Sequence, residues 1–134
     1  MVERPIILCV DDDPAILRVL RRSLQRRLGR RCAIETANNG AEALAFIKRM
    51  NQQKTPPALV ISDAVMPLMD GYALVQWLYD HMPAVHTILI TGFGDENKID
   101  RLRTHAGLMA ALTKPWKSDY LCSLIEGALA LPPA

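Results

Sequence analysis

Residues 6–14 read IILCVDDDP, a short apolar run that ends at three acidic residues and a proline. An apolar run of this length, ended abruptly by charged residues, indicates a buried strand. Pro14 suits the first turn of a helix, because the N–H that proline lacks would be unpaired there anyway. The leucines that follow recur every three or four residues, at Leu17, Leu20, Leu24 and Leu28. This spacing predicts one amphipathic helix that runs from residue 14 and stops at Gly29.

The rest of the chain repeats this alternation of apolar runs and helical patterns. Further strands are predicted at 32–37, 58–62, 87–91 and 108–113, and further helices at 41–50, 72–81, 96–105 and 118–130. Ser118 or Asp119 is expected to cap the last helix. The strands mostly lack polar alternation, so helices are expected to cover both faces of the sheet. Because crossovers are right-handed, the leading prediction is an α/β flavodoxin-like doubly wound five-stranded parallel sheet, order 2-1-3-4-5, with five helices.

The composition is that of one globular domain. The chain has 134 residues, of which 50% are hydrophobic and 22% are charged. We expect one domain over residues 1–130, with 131–134 as a tail or the start of a linker. The three cysteines cannot all pair and lack CxxC spacing, which argues against a disulfide scaffold or zinc ribbon and favours a reducing compartment. No apolar run approaches 18 residues and no signal-peptide pattern is present, so no contact with a membrane is expected.

Positive charge is concentrated in one segment although the net charge is only +2. Residues 18–31 contain seven arginines and no acidic residue. The segment is either a solvated helix face or a docking surface that attracts an acidic partner. Direct binding of nucleic acid by this domain is not expected, because the net charge is small and no separate recognition helix is visible.

Polar side chains follow the strands that are predicted to be central. Asp11, Asp12 and Asp13 follow the first strand, Asp63 the third, Thr91 ends the fourth and Lys114 follows the fifth. Each alone usually makes a turn, a cap or a loop contact, but the carboxyl ends of parallel strands meet at one edge, where ligands bind. Clustered carboxylates suit Mg²⁺, and a lysine supplies a point charge for a phosphoryl group. Asp63 is the natural acceptor, because an aspartate can form an acyl phosphate.

These stretches, taken together, resemble the response-regulator receiver domains of bacterial two-component signalling. The matching segments are ILCVDDDP at 7–14, ANNGAEAL at 37–44, LVISDAVMPLMDG at 59–71, ILITGFGD at 88–95 and LTKPW at 112–116. Their order and spacing fit the family over residues 5–130. The resemblance implies a cytoplasmic bacterial protein.

The resemblance also implies a role for each site residue. Asp63 would be the phosphoacceptor, Thr91 the hydroxyl that moves onto the phosphoryl group, and Lys114 the cation that pairs with it. The Mg²⁺ ligands would be Asp12, Asp63 and the backbone carbonyl of Val65, with Asp11 assisting through water. The Lys114–Pro115 bond is expected to be cis.

Partners follow from the same resemblance. A histidine kinase would donate the phosphoryl group, and an output domain or downstream protein would receive the signal; a homodimer is possible. The chain would not be a turnover enzyme, since it would catalyse only its own phosphorylation and slow dephosphorylation.

One position departs from the family pattern, and two alternatives stay open. Many receivers carry an aromatic residue that rotates inward where this chain has Ala111, so signalling would pass through loop movement or another side chain such as Phe93. The main alternative is a pseudo-receiver, an interaction module that works without phosphorylation. A metal-dependent phosphatase would need a second aspartate two residues after Asp63, where this chain has Val65.

Overall fold

The computed structural model describes residues 4–132. Strands and helices alternate as β1 Ile6–Val10, α1 Pro14–Leu28, β2 Ala33–Ala37, α2 Gly40–Gln52, β3 Leu59–Ser62, α3 Gly71–His81, β4 His86–Thr91, α4 Glu96–His105, β5 Ala110–Thr113 and α5 Ser118–Leu129. The five strands are parallel and lie in the order β2-β1-β3-β4-β5. The predicted fold class and strand order are therefore confirmed.

Helices cover the sheet on both faces. Ile7 and Cys9 of β1 pack into a cluster with the leucines of α1 and with Leu121 and Ile125 of α5. The alternate residues Leu8 and Val10 pack into a second cluster with α2 and α3. Because both faces of β1 are buried, the strand reads as a continuous apolar run in the sequence. Burial raises the pKa of the Cys9 thiol to about 12, so this cysteine is an inert packing residue.

Side chains cap four of the five helices, and the exception corrects one prediction. Asp13, Asn39, Asp70 and Asp95 each accept a backbone N–H in the first turn of α1, α2, α3 and α4 respectively. We expected Ser118 or Asp119 to cap α5, but this is wrong: Lys117 occupies the N-cap position, and no described side chain bonds there. A cap must precede the first helical residue, and the helix already begins at Ser118. Asp119 instead places its negative charge in the first turn, where the helix dipole favours it.

The basic segment of α1 is divided between two environments. Arg27, in the last turn of α1, and Arg31, just beyond the end of the helix, both pair with Glu126 of α5, and the Arg31 Nη2–Glu126 Oε2 distance is 2.8 Å. The other arginines of α1 form no ion pair within residues 4–132. Part of the segment is thus structural, and the rest is a basic surface without ion pairs to other residues that the structure describes.

The Glu126 pairs should contribute a pH-dependent share of stability. Hydrogen bonds from Arg31 and then Arg27 hold the pKa of Glu126 below its ordinary value of 4.5. The stabilisation is therefore present above pH 4.5 and is lost as the pH falls through the lowered pKa. We expect Glu126→Gln to lower the midpoint of thermal unfolding by about 2–4 °C at pH 7.

Thermal unfolding of both proteins over decreasing pH checks this expectation, because the difference should shrink in acid. Asp100→Asn is the matched control, since within residues 4–132 Asp100 pairs only with exposed Arg103 one turn away on α4, at 3.7 Å. That control should unfold within about 1 °C of the wild type. A pH-independent loss in Glu126→Gln would contradict the assignment.

No helix in residues 4–132 is both long and apolar enough to cross a bilayer. The proposed domain limits, 1–130 with a tail at 131–134, remain a prediction, and residues 1–3 and 133–134 lie outside the described part of the chain.

Candidate functional site

The strand ends bring Asp11, Asp63 and Lys114 into direct contact. Val10 of β1 is in register with Ser62 of β3, so the residues that follow them, Asp11 and Asp63, lie side by side. The Lys114 ammonium, carried in after β5, lies 3.0 Å from Asp11 Oδ2 and 3.1 Å from Asp63 Oδ2. The Lys114–Pro115 bond that follows is cis, as expected. One cation thus bridges two carboxylates at the carboxyl edge of the sheet.

Burial strengthens the charge–charge interactions among Asp11, Asp63 and Lys114, because little water screens them. Asp11 is 3% exposed and Asp63 is 9% exposed, although both are acidic. Burial raises the pKa of Asp11, while hydrogen bonds from the Asp13 N–H and from Lys114 oppose the rise. For Lys114, burial alone would lower the pKa, but the hydrogen bonds to Asp11 and Asp63 outweigh it and raise the pKa. The ammonium is therefore charged at neutral pH and offsets part of the carboxylate charge.

Asp12 completes a group of three carboxylates that could hold a metal ion. One oxygen from each of Asp11, Asp12 and Asp63 lies within 4.8 Å of the others. Magnesium binds oxygen ligands at about 2.0–2.1 Å, which places them about 3–4 Å apart around the ion. The oxygens lie within 4.8 Å of one another, so small side-chain rotations would bring them to this spacing. The donor set contains only hard oxygen atoms, so it fits Mg²⁺.

Val65 lies in the loop after β3, two residues beyond Asp63. Its side chain is 62% exposed, and the loop is closed by a hydrogen bond of 2.8 Å from the Gly71 N–H to the Ala64 carbonyl. The proposed role of the Val65 carbonyl as a metal ligand stays a prediction. Leu68 in the same loop has a φ of 71°, an arrangement that is uncommon for a branched residue.

Thr91 ends β4 at the same edge, and its hydroxyl oxygen is bonded to the loop that follows it. The backbone connects it to the cluster, since the Lys114 N–H donates to the Thr91 carbonyl at 3.1 Å. Its Oγ1 accepts the Phe93 N–H at 3.3 Å and forms no hydrogen bond with Asp63 or Lys114 in the described residues. The structure therefore brings Asp11, Asp12, Asp63 and Lys114 together, and places Thr91 at the same sheet edge without a hydrogen bond from its hydroxyl to that cluster within the described residues.

Two residues near the site were not identified as contacts from the sequence. A Cβ at Gly71 would lie 2.1 Å from the Asp63 carbonyl oxygen, so the start of α3 packs directly on the Asp63 backbone. The Tyr72 hydroxyl accepts the Asp95 N–H at 2.8 Å and so links α3 to the loop that follows Thr91. The spacing of residues along the chain carries no signal for either contact, because both join separate elements.

An apolar groove opens next to the lysine. It has a volume of about 420 Å³ and is lined by Ile16, Val19, Lys114, Pro115, Trp116 and Ser118. Trp116 is partly buried and packs against the core. The groove therefore joins the first helix to the loop that carries Lys114.

Comparison with known proteins agrees with this geometry. The family model of the response regulator receiver domain matches residues 7–126. The chain belongs to this family. A receiver domain is a signalling module of response regulators, so the coarse function follows from membership.

Individual relatives share the fold over nearly the whole chain. The DNA-binding transcriptional regulator NtrC of Escherichia coli K12 is 33% identical over 96% of this chain and 26% of its own length. The chemotaxis protein CheY of Halobacterium salinarum is 28% identical over 92% of this chain and 95% of its own length. The crystal structure of the signal receiver domain of an HD domain-containing protein from Pseudomonas fluorescens Pf-5 has a TM-score of 0.82 and 29% identity, with 96% of each chain covered.

Several relatives are much longer than this chain. It spans 15–26% of the length of the first curated relatives that it matches.

Proposed function

We propose that this chain is a phosphorelay receiver that accepts a phosphoryl group on Asp63 with Mg²⁺. The observation that carries the proposal is the position of the Lys114 ammonium, 3.0 and 3.1 Å from the carboxylates of Asp11 and Asp63. The phosphodonor is the phosphohistidine of a histidine kinase in the cytoplasm. The signal then passes to an output domain or a downstream protein.

The residues of the site divide the reaction among them. A carboxylate oxygen of Asp63 attacks the phosphorus atom, and the bond to the donor histidine breaks as the new bond forms. Lys114 neutralises charge on the transferred group, because its ammonium already lies beside the accepting oxygen. Thr91 donates a hydrogen bond to a phosphoryl oxygen after its hydroxyl turns away from the Phe93 N–H.

Magnesium would be held by Asp12, Asp63 and the Val65 carbonyl, with Asp11 acting through water, and would neutralise charge on the phosphoryl oxygens. The phosphorylated carboxylate is then occupied until it is hydrolysed. The chain therefore works as a switch and not as a turnover enzyme.

The surface around the site suits a protein donor. The groove beside Lys114 offers apolar contact at Ile16 and Val19, and Val19 is 58% exposed. The arginines of α1 that lack an ion pair in the described residues, among them Arg18 and Arg22, add positive charge to the same helix. This combination supports docking of an acidic protein surface, whose approach would be accelerated by electrostatic steering.

Intact mass after incubation with acetyl phosphate tests the proposal. With Mg²⁺ we expect a gain of one phosphoryl group, and with excess chelator we expect none, because the carboxylates then lack the divalent ion. No gain in either condition, also when a phosphorylated histidine kinase is the donor, would favour the pseudo-receiver alternative.

A further inference from the structure

The loop between β4 and α4, residues 92–95, is held by few packing contacts. The Phe93 side chain is 93% exposed and therefore does not anchor the loop. A cavity of about 70 Å³ lies between the loop, α4 and β5, lined in part by Thr91, Gly94, Ile99 and Ala111. The small side chain of Ala111 leaves this space unfilled. Polar contacts must therefore carry much of the restraint on the loop.

Two hydrogen bonds supply that restraint. At the start of the loop, the Phe93 N–H donates to Thr91 Oγ1 at 3.3 Å. At its end, the Asp95 N–H donates to the Tyr72 hydroxyl at 2.8 Å. The Asp95 carboxylate then caps α4 through the N–H groups of Asn97 and Lys98. The loop is thus fastened to Thr91 at one end and to α3 at the other.

Tyr72 is itself well fixed. Its ring packs against the apolar cluster that contains Val75, Leu89 and Ile99. The Lys98 ammonium lies 5.2 Å from the ring centroid, in a cation–π arrangement. Tyr72 is the second residue of α3. It directly follows Gly71, which packs against the Asp63 backbone. Tyr72 therefore connects the element that follows the acceptor to the loop that follows Thr91.

We propose that Tyr72 is a positioning residue for phosphoryl transfer, whose hydroxyl holds the β4–α4 loop where the Thr91 hydroxyl faces Phe93. The inference rests on the proposed function. When the hydroxyl of Thr91 turns toward a phosphoryl group on Asp63, residues 92–95 move with it. The hydrogen bond between Asp95 and Tyr72 opposes this movement and so lowers the population of the arrangement that accepts the phosphoryl group.

Tyr72→Phe removes only the hydroxyl and keeps the ring, its packing and its contact with Lys98. We expect this variant to be labelled by acetyl phosphate and Mg²⁺ about three- to tenfold faster than the wild type, the factor that corresponds to one lost hydrogen bond. Exchange of the Asp95 amide hydrogen, followed by NMR, should accelerate in the unphosphorylated variant. The midpoint of thermal unfolding should change little, because the Tyr72 hydroxyl and Asp95 lie near solvent.

Tyr79→Phe is the matched control. Tyr79 lies on the same helix and is 44% exposed, and its hydroxyl has no hydrogen-bond partner within residues 4–132. This variant should keep the wild-type labelling rate.

Three results would overturn the inference. The first two are a labelling rate of Tyr72→Phe equal to the wild type, and one below it. The third is an absence of labelling in the wild type itself with every donor, which would overturn the proposed function and the positioning role together. Because the wild type is measured alongside, failure of the function is distinguished from failure of the positioning role.

Discussion

Asp63→Asn is expected to abolish labelling by acetyl phosphate in the presence of Mg²⁺. The amide of asparagine is a poor nucleophile and cannot form the acyl phosphate that a carboxylate forms. The substitution also removes one of the three carboxylates whose oxygens lie within 4.8 Å of each other, so binding of Mg²⁺ should weaken. Intact mass should show only the unmodified protein under conditions that label the wild type.

The fold should survive this substitution. The asparagine carbonyl can still accept a hydrogen bond from Lys114, and Asp11 remains as the charged partner of the ammonium at 3.0 Å. Asp80→Asn is the matched control, because Asp80 is exposed and, in the described part of the chain, its side chain bonds only to Gln76 on the same helix. That control should be labelled like the wild type. Full labelling of Asp63→Asn would show that the phosphoryl group goes elsewhere.

The fold, and the sheet edge at which the candidate site residues lie, could be predicted from the sequence because both depend on strand positions. IILCV and LVIS are short apolar runs between helical patterns, and a run buried on both faces belongs to a covered parallel sheet. Once the strand order is known, residues that directly follow central strands must meet at one edge. The contact of Lys114 with Asp11 and Asp63 follows from this rule, although they are far apart in the chain.

Contacts between separate helices and loops could not be predicted from the sequence. Tyr72 and Asp95 are 23 residues apart, and their hydrogen bond depends on how α3 packs beside α4. The pairing of Arg27 and Arg31 with Glu126 depends in the same way on α1 lying beside α5. Neither relation has a periodicity that could reveal it. The N-cap of α5 was predicted wrongly for a simpler reason. A shift of one residue in the start of the helix changes which residue is the cap.

The direction of the Thr91 hydroxyl was equally unpredictable. A hydroxyl rotates among a few staggered positions, and which one is occupied depends on the local acceptors and donors. Here the Phe93 N–H, two residues later, provides the partner. The sequence therefore places Thr91 at the site but does not reveal its resting orientation.

Gly71→Ala and Gly127→Ala should change the free energy of unfolding in opposite directions. A Cβ at Gly71 would meet the Asp63 carbonyl oxygen at 2.1 Å, the Asp63 carbonyl carbon at 2.9 Å and Ala64 Cα at 3.0 Å. All three are backbone atoms, so no side chain can rotate away to make room. We expect a loss of about 2–4 kcal/mol in the free energy of unfolding.

The clash at Gly71→Ala should also slow phosphoryl transfer to Asp63. The methyl group can be accommodated only if α3 moves away or the backbone at Asp63 shifts, and either movement displaces the acceptor carboxylate from Lys114. A displacement of about 1 Å at a reacting group can cost on the order of 100-fold in rate. Labelling of Gly71→Ala should therefore be slowed strongly even under conditions where the variant is folded.

Gly127 of α5, unlike Gly71, has open space where a Cβ would lie. Apart from its chain neighbours and the backbone of its own helix, a Cβ there would have no described heavy atom within 4 Å, so alanine adds no clash. Because glycine is less favourable than alanine in a helix, we expect Gly127→Ala to gain about 0.5–1 kcal/mol and to be labelled normally. Denaturant unfolding of the two variants measures both signs. If Gly71→Ala kept wild-type stability and labelling, the close packing of α3 on the Asp63 backbone would not hold the acceptor in place.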